Sequence, residues 1–302
     1  MRNIFLSVFI LVSSLFSSQT VEPKKALHVL TSFTIVADWV RAIGGDCVVV
    51  DSIVGFDEDP HVFTPTPATI KKLMASDIVF FNGLGLEGWW PRLLKASKYP
   101  GLVVMLAEKM QIHLHPHGNS CSCGHHDPHD PHLWHTVPNA RKYVKAITNA
   151  LVNKLPQYAM DFHARERAYL QKLDSLEDYI LRKIAEVPQH KRVVITAHDA
   201  FSYLAHWLHL TIKAPSGLST DSEPSSKDVA ALVDLIRKDN IRALFLENMT
   251  NPRIMKQLAR ETHVEIVGEL CSDALSQKYA PTYLAMMRHN IDVMVKAMKK
   301  NG

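Results

Sequence analysis

Cysteine is absent from the first 46 residues of this 302-residue chain, and only four occur in all: Cys47, Cys121, Cys123 and Cys271. No residue near the N-terminus is therefore available to carry a thioether lipid. The four thiols leave pairing open: Cys121 with Cys123, Cys47 with Cys271, or a soft-metal role for the Cys-Ser-Cys stretch. Two catalytic signatures are missing as well. No His-Glu-x-x-His helix motif and no Gly-x-Ser-x-Gly nucleophile elbow occurs, which removes the most recognisable metallopeptidase and serine-hydrolase chemistries. Basic residues do not cluster with aromatics and the net charge is only +4, so nucleic acid is not an expected partner. After the first twenty residues, no segment approaches the roughly 20 apolar residues that span a bilayer.

What is present begins with an export layout. Arg2 precedes the apolar run IFLSVFILV, and the small residues of SSLFSSQT follow. This predicts a cleavable signal over about residues 1–20 and a mature chain free in the periplasm, not lipidated. With 47% apolar and 21% charged residues the remainder is an ordinary globular chain, long enough for two cores.

From residue 26, apolar β-rich runs alternate with amphipathic patterns. ALHVLTSF, CVVVDSIV, DIVFFNG and LVVML read as buried strands, with helices TIVADWVRAIGG and PATIKKLMAS between them. PNARKYVKAITNALVNKL reads as a helix entered at Pro138. From Pro156 to Pro188 the chain runs about thirty residues without Gly or Pro, with Tyr169, Leu173, Leu176, Tyr179 and Ile180 on one stripe. RVVITA, TIKA, ALFLE and VEIV then resume the strand–helix alternation. The expected fold is α/β: two lobes, each a parallel-rich sheet flanked by helices, joined by one long rigid helix. The expected bounds are 21–155 for the first lobe, 156–188 for the linking helix and 189–302 for the second lobe.

Histidine is the most informative residue type. Eight of seventeen lie between His113 and His135, and Asp-Pro-His occurs at 59–61, 127–129 and 130–132. Ligands of α/β folds gather where chains leave the carboxyl ends of strands. His61, His132, His198 and Asp273 stand in such loops, two in each half of the chain. Three imidazoles and a carboxylate suit Zn²⁺, which takes four-coordinate nitrogen and oxygen shells. Asp199 reads as a cap for the helix starting near Phe201. Glu223 and Glu247 read as carboxylates that could orient the ligand rings.

DPHVFTPTP, NGLGLEGW, DPHLW, TAHDAFSYL, GLSTDSEPS, FLENMTNPRIMKQLA and LCSDAL, in this order over nearly the whole mature chain, closely resemble the cluster A-I solute-binding proteins of zinc and manganese ABC importers. The resemblance implies two α/β lobes on one backbone helix, with a metal between them. It places the family's three histidines on His61, His132 and His198 and its carboxylate on Asp273. His113, His115, His117, His125, His126 and His129 then correspond to the family's accessory histidine-rich segment (113–129), which is expected to be disordered without metal; His135 has no assigned role. Manganese-selective members commonly use two histidines and two carboxylates. His198 and the histidine-rich loop therefore favour Zn²⁺, with Mn²⁺ or Fe²⁺ as the alternative cargo. The implied partners are a membrane permease and its cytoplasmic ATPase, the protein itself being a monomer and not an enzyme. A metal-dependent adhesin or a zinc hydrolase is the competing class.

Overall fold

The structure, a computed structural model, describes residues 26–108, 110 and 130–301. The expected export segment, the histidine-rich stretch 113–129 and the cysteines Cys121 and Cys123 lie outside these residues.

Two four-stranded sheets are formed among the described residues, all strands parallel. In the first, β1 (Leu27–Thr31), β2 (Val48–Ser52), β3 (Ile78–Phe81) and β4 (Leu102–Met105) take the order β2-β1-β3-β4. In the second, β5 (Val193–Ile195), β6 (Thr211–Lys213), β7 (Leu244–Glu247) and β8 (Ile266–Leu270) repeat it as β6-β5-β7-β8. In both sheets the strand order reverses beside the first strand, which opens a crevice at the carboxyl ends there. The inner β3 is buried throughout. The edge strands β2 and β4 depart from the expectation of burial, with most of their residues partly or fully exposed. Each has only one strand neighbour, so its outer side faces solvent.

The helices start and stop where backbone chemistry dictates. α1 (Thr34–Gly44) ends at Gly45, whose φ of +52° suits a residue without Cβ. α2 (Pro67–Met74) opens on a reciprocal box in which Thr66 and Thr69 each bind the other's backbone N–H. α3 (Trp90–Ser97), missed by the sequence reading, follows a turn that uses Gly83 and Gly85 at φ +88° and +84°. α4 (Val137–Lys154) is capped by the Thr136 hydroxyl, which accepts from the Asn139 N–H at 3.3 Å. After a 3₁₀ turn at Pro156–Tyr158, α5 (Ala159–Ala185) runs 27 residues, about 40 Å at 1.5 Å per residue, and joins the lobes. Its buried stripe is Phe162, Tyr169, Leu173, Leu176, Ile180 and Ile184; Tyr179 sits at the stripe's edge and donates to Asp292.

In the second lobe, α6 (Ser202–Leu208), α7 (Ser226–Lys238) and α8 (Arg253–Thr262) flank the sheet. α9 (Tyr283–Met298) also escaped the sequence reading. It is a second bridge between lobes: its first residue, Tyr283, packs on Trp39 of α1 and donates its N–H to Asp38 at 2.9 Å. One apolar core runs continuously from the first sheet through α4, α5 and α9 to the second sheet. A smaller cluster lies behind the second sheet under α7 and α8. Cys47 and Cys271 are buried free thiols, so that pairing is not made.

Candidate metal centre

The four candidate ligands meet where the two sheets' carboxyl ends face each other. His198 and Asp273 stand three residues beyond β5 and β8, respectively, and Glu247 is the last residue of β7. His61 arrives on the loop between β2 and α2, and His132 just before α4. The His132, His198 and Asp273 side chains are fully or almost fully buried, and the His61 side chain is 3% exposed.

The His61 Nε2 lies 3.3 Å from His132 Nε2 and 3.2 Å from Asp273 Oδ2. Asp273 Oδ2 is 3.1 Å from His198 Nε2, and Asp273 Oδ1 is 3.5 Å from His132 Nε2. A tetrahedron with metal–ligand bonds of about 2.0 Å has edges of about 3.3 Å, so these spacings match the shell of one small cation. One ligand atom from each residue lies within 4.8 Å of every other. Both Asp273 oxygens and His198 Nε2 are buried without an aligned hydrogen bond. Leaving such groups unpaired is costly unless something between them is coordinated.

Two of the three imidazoles are aimed by carboxylates behind them. Glu247 accepts four hydrogen bonds: from Ala197 N (2.7 Å), His198 N (3.1 Å), His198 Nδ1 (2.5 Å) and Ser272 Oγ (2.8 Å). A carboxylate only accepts, so it fixes the proton on His198 Nδ1 and leaves Nε2 for metal. Asp130 does the same for His132, accepting from its backbone N at 2.9 Å and its Nδ1 at 2.7 Å. The loop before His132 is in turn held by Asn82 at the end of β3, whose amide donates to Pro131 O at 3.0 Å while Tyr143 donates to its oxygen. Trp89 Nε1 donates to Pro60 O at 2.8 Å and so anchors the loop that carries His61.

The charges reinforce this. Burial alone would push the Asp273 carboxyl up, yet the facing His198 and His132, with His61 close beside it, hold it well below the usual range. Burial would likewise lower His198, but Glu247 and Asp273 raise it well above an ordinary imidazole. The pocket thus sets a buried carboxylate against three imidazoles, and a cation bound there would compete with protons for them.

Of the two carboxylates expected to orient ligand rings, Glu247 does so. Glu223 does not: it is exposed and pairs with Arg253 on the surface, too far along its loop to enter the cleft. Asp199 is not the helix cap expected of it. α6 has no side-chain cap, and Asp199 instead accepts from the Ser202 hydroxyl at 2.8 Å. His135 is fully buried, packed 4.3 Å from the Phe201 ring, with burial pushing its pKa down to about 3. Asp130 and Ser272 went unrecognised in the sequence. The signal for Asp130 was the Asp-Pro-His tripeptide itself, in which the acid two residues back can reach its own histidine.

Four converging residues that could hold a cation, set between two parallel-sheet lobes that share a long helix, are the arrangement of a metal-binding solute-binding protein. The family described as "ZnuA: Zinc-uptake complex component A periplasmic" matches residues 29–297. The manganese-binding lipoprotein MntA of Bacillus subtilis is 33% identical over 280 residues, covering 90% of each chain. The zinc-binding protein TroA of Treponema pallidum is 33% identical over 279 residues, covering 90% of this chain and 89% of TroA. The solved structure of the Treponema periplasmic zinc-binding protein TroA superposes with a TM-score of 0.83 at 31% identity, covering 91% of this chain and all of that one. A manganese-bound periplasmic metal-binding protein from Candidatus Liberibacter asiaticus gives 0.77 at 25% identity, covering 90% and 99%. The chain belongs to the ZnuA family, the periplasmic metal-binding components of zinc and manganese ABC importers.

Proposed function

We propose that the protein captures Zn²⁺ through His61, His132, His198 and Asp273 and delivers it to an ABC permease driven by a cytoplasmic ATPase. The observation that carries this reading is the convergence of four ligand residues, with one donor atom of each within 4.8 Å of the others and two of the rings held by buried carboxylates behind them. Three nitrogen donors and one oxygen favour a borderline ion over a hard one. Manganese is the second reading. It is supported by the likeness to MntA, and by an Asp273 that presents both oxygens to the shell and so allows a higher coordination number.

Four protein ligands leave no open position for an activated water, which supports a carrier over a zinc hydrolase. Export to the periplasm is part of the reading. Several relatives are named lipoproteins, and the absence of cysteine before Cys47 is where this chain departs from that chemistry. The histidines of 113–129 serve as accessory, weak metal collectors, and the carrier works as a monomer.

The test is metal content by mass spectrometry of mature protein lacking residues 113–129, after dialysis against a weak chelator. One zinc per chain supports the reading. One manganese or iron keeps the carrier and changes its cargo. No retained metal refutes the four-residue site. With the loop present, His61→Ala should abolish tight binding, whereas His129→Ala should barely change it.

A further inference from the structure

The Asp-Pro-His tripeptide occurs twice at the site, and its two copies differ in one respect. In both, the aspartate's Oδ1 accepts the backbone N–H of the histidine two residues on: Asp59 from His61 at 2.8 Å, Asp130 from His132 at 2.9 Å. Asp130 also takes its own histidine's Nδ1, and its second oxygen is buried without a partner. Asp59 instead sends its second oxygen across the cleft, where the Thr220 hydroxyl of the other lobe donates to it at 2.6 Å.

Thr220 stands in a segment tied to the opposite pair of ligands. Residue 216 of that segment bridges to His198 as a parallel strand would, and Asp199 N donates to Gly217 O at 3.1 Å. A bonded path thus runs from His61 through Asp59 and Thr220 to the backbone beside His198. Two further contacts nearby make the same crossing: Asn248 Nδ2 donates to Asp57 Oδ1 at 2.8 Å, and the Asp57 N–H donates to Leu275 O at 3.1 Å. Behind the metal position the lobes are joined by buried contacts: Trp134 Nε1 to Ser272 O, the Leu275 N–H to Thr34 Oγ1 and Tyr203 OH to Asp130 O. A continuous apolar core and two bridging helices back these contacts. Whole-lobe separation would break all of them at once. Lifting the His61 loop breaks the part-exposed polar crossings at residues 57–59.

We propose that Thr220, acting through Asp59, is the positioning residue that holds His61 on the metal and sets the rate at which the cation leaves. This rests on the four-residue metal site proposed above. Thr220 touches no metal; it stabilises the closed position of the loop, so its removal speeds release and leaves capture unchanged. The step is local, with His61 as the leaving ligand.

The experiment is stopped-flow release of Zn²⁺ from the full mature protein into excess chromogenic chelator, with the association rate measured separately. Thr220→Val keeps the shape and removes the donor. The expected result is release about tenfold faster, equivalent to about 1.4 kcal/mol, with association within twofold of the parent. Thr220→Ser should restore slow release, which a general folding defect would not do. Release from Thr220→Val at the parent's rate overturns the latch alone, provided the parent holds zinc. Faster release that Thr220→Ser fails to rescue, or an equal fall in association rate, assigns the residue a merely structural role and overturns it too. A parent that retains no zinc overturns both this inference and the site on which it stands.

Discussion

Replacing Glu247 with Gln probes the site through one atom. Glu247 Oε1 accepts from the backbone N–H groups of Ala197 and His198, and an amide oxygen can keep both. The amide nitrogen then takes the place of Oε2, facing His198 Nδ1 at 2.5 Å and Ser272 Oγ at 2.8 Å. An NH₂ group donates and cannot accept, so the neutral imidazole must turn to the tautomer with its proton on Nε2. That proton occupies the position from which His198 would bind metal, and restoring the useful tautomer leaves two donors face to face. Loss of a ring-orienting carboxylate commonly costs 10- to 100-fold in metal affinity, which is about 1.4–2.7 kcal/mol. The assay is competition against a calibrated chelator at pH 7.5, with a thermal melt to show that the variant folds. Ser272→Ala removes a neighbour without reversing the tautomer, and it should weaken binding several-fold less. An affinity for Glu247→Gln equal to the parent's would refute the reasoning and with it the role given to His198 Nε2.

Two further outcomes follow from the same geometry. His135 is neutral in its buried position, with a folded pKa of about 3 against an ordinary value of 6.5, so the unfolded chain binds the extra proton. Its contribution is therefore intact above pH 6.5 and is lost as pH falls toward 3, amounting to about 2 kcal/mol between pH 7 and pH 5. Urea unfolding of metal-free His135→Leu at both pH values should show a correspondingly smaller acid loss than the parent; identical losses would sink the assignment. Trp134→Phe removes the indole N–H that donates to Ser272 O at 2.9 Å and leaves that buried carbonyl unpaired beside a small void. A loss of about 2–3 kcal/mol in denaturant unfolding is expected, together with weaker metal binding because Ser272 adjoins Asp273. A variant that matches the parent in both would remove Trp134 from the account of how the lobes are fixed.

Local signals in the chain were enough for much of the architecture. The apolar run at 78–81 has strand length and is bounded by Asp77 and the Asn-Gly pair, so β3 could be read directly. The break-free stretch after Pro156 carries its stripe at helical spacing, so α5 could be read as well. These properties depend on neighbours within a few residues, which is why sequence contains them. α9 was not legible in the same way. Met286, Met287, Met294 and Met298 are buried in the continuous core, and its amphipathic face has meaning only once α1 and α5 are in place. Edge burial is likewise a property of the assembled sheet, so β2 and β4 could not be told from inner strands.

The site divides along the same line. Histidine and aspartate types at strand ends, taken with the ordered family motifs, were sufficient to nominate His61, His132, His198 and Asp273 from sequence. What tertiary structure alone decided is which groups stand behind them. Glu223 and Glu247 are equally plausible in one dimension, but Glu247 ends β7, a neighbour of β5, whereas Glu223 lies exposed on a loop, so only Glu247 reaches His198. Asp59 and Asp130 occupy identical tripeptides, yet one faces the opposite lobe and the other its own histidine. A sequence specifies the donor atoms; contacts between residues 50 to 161 apart along the chain, within the second sheet and across the lobes, specify where each lone pair points.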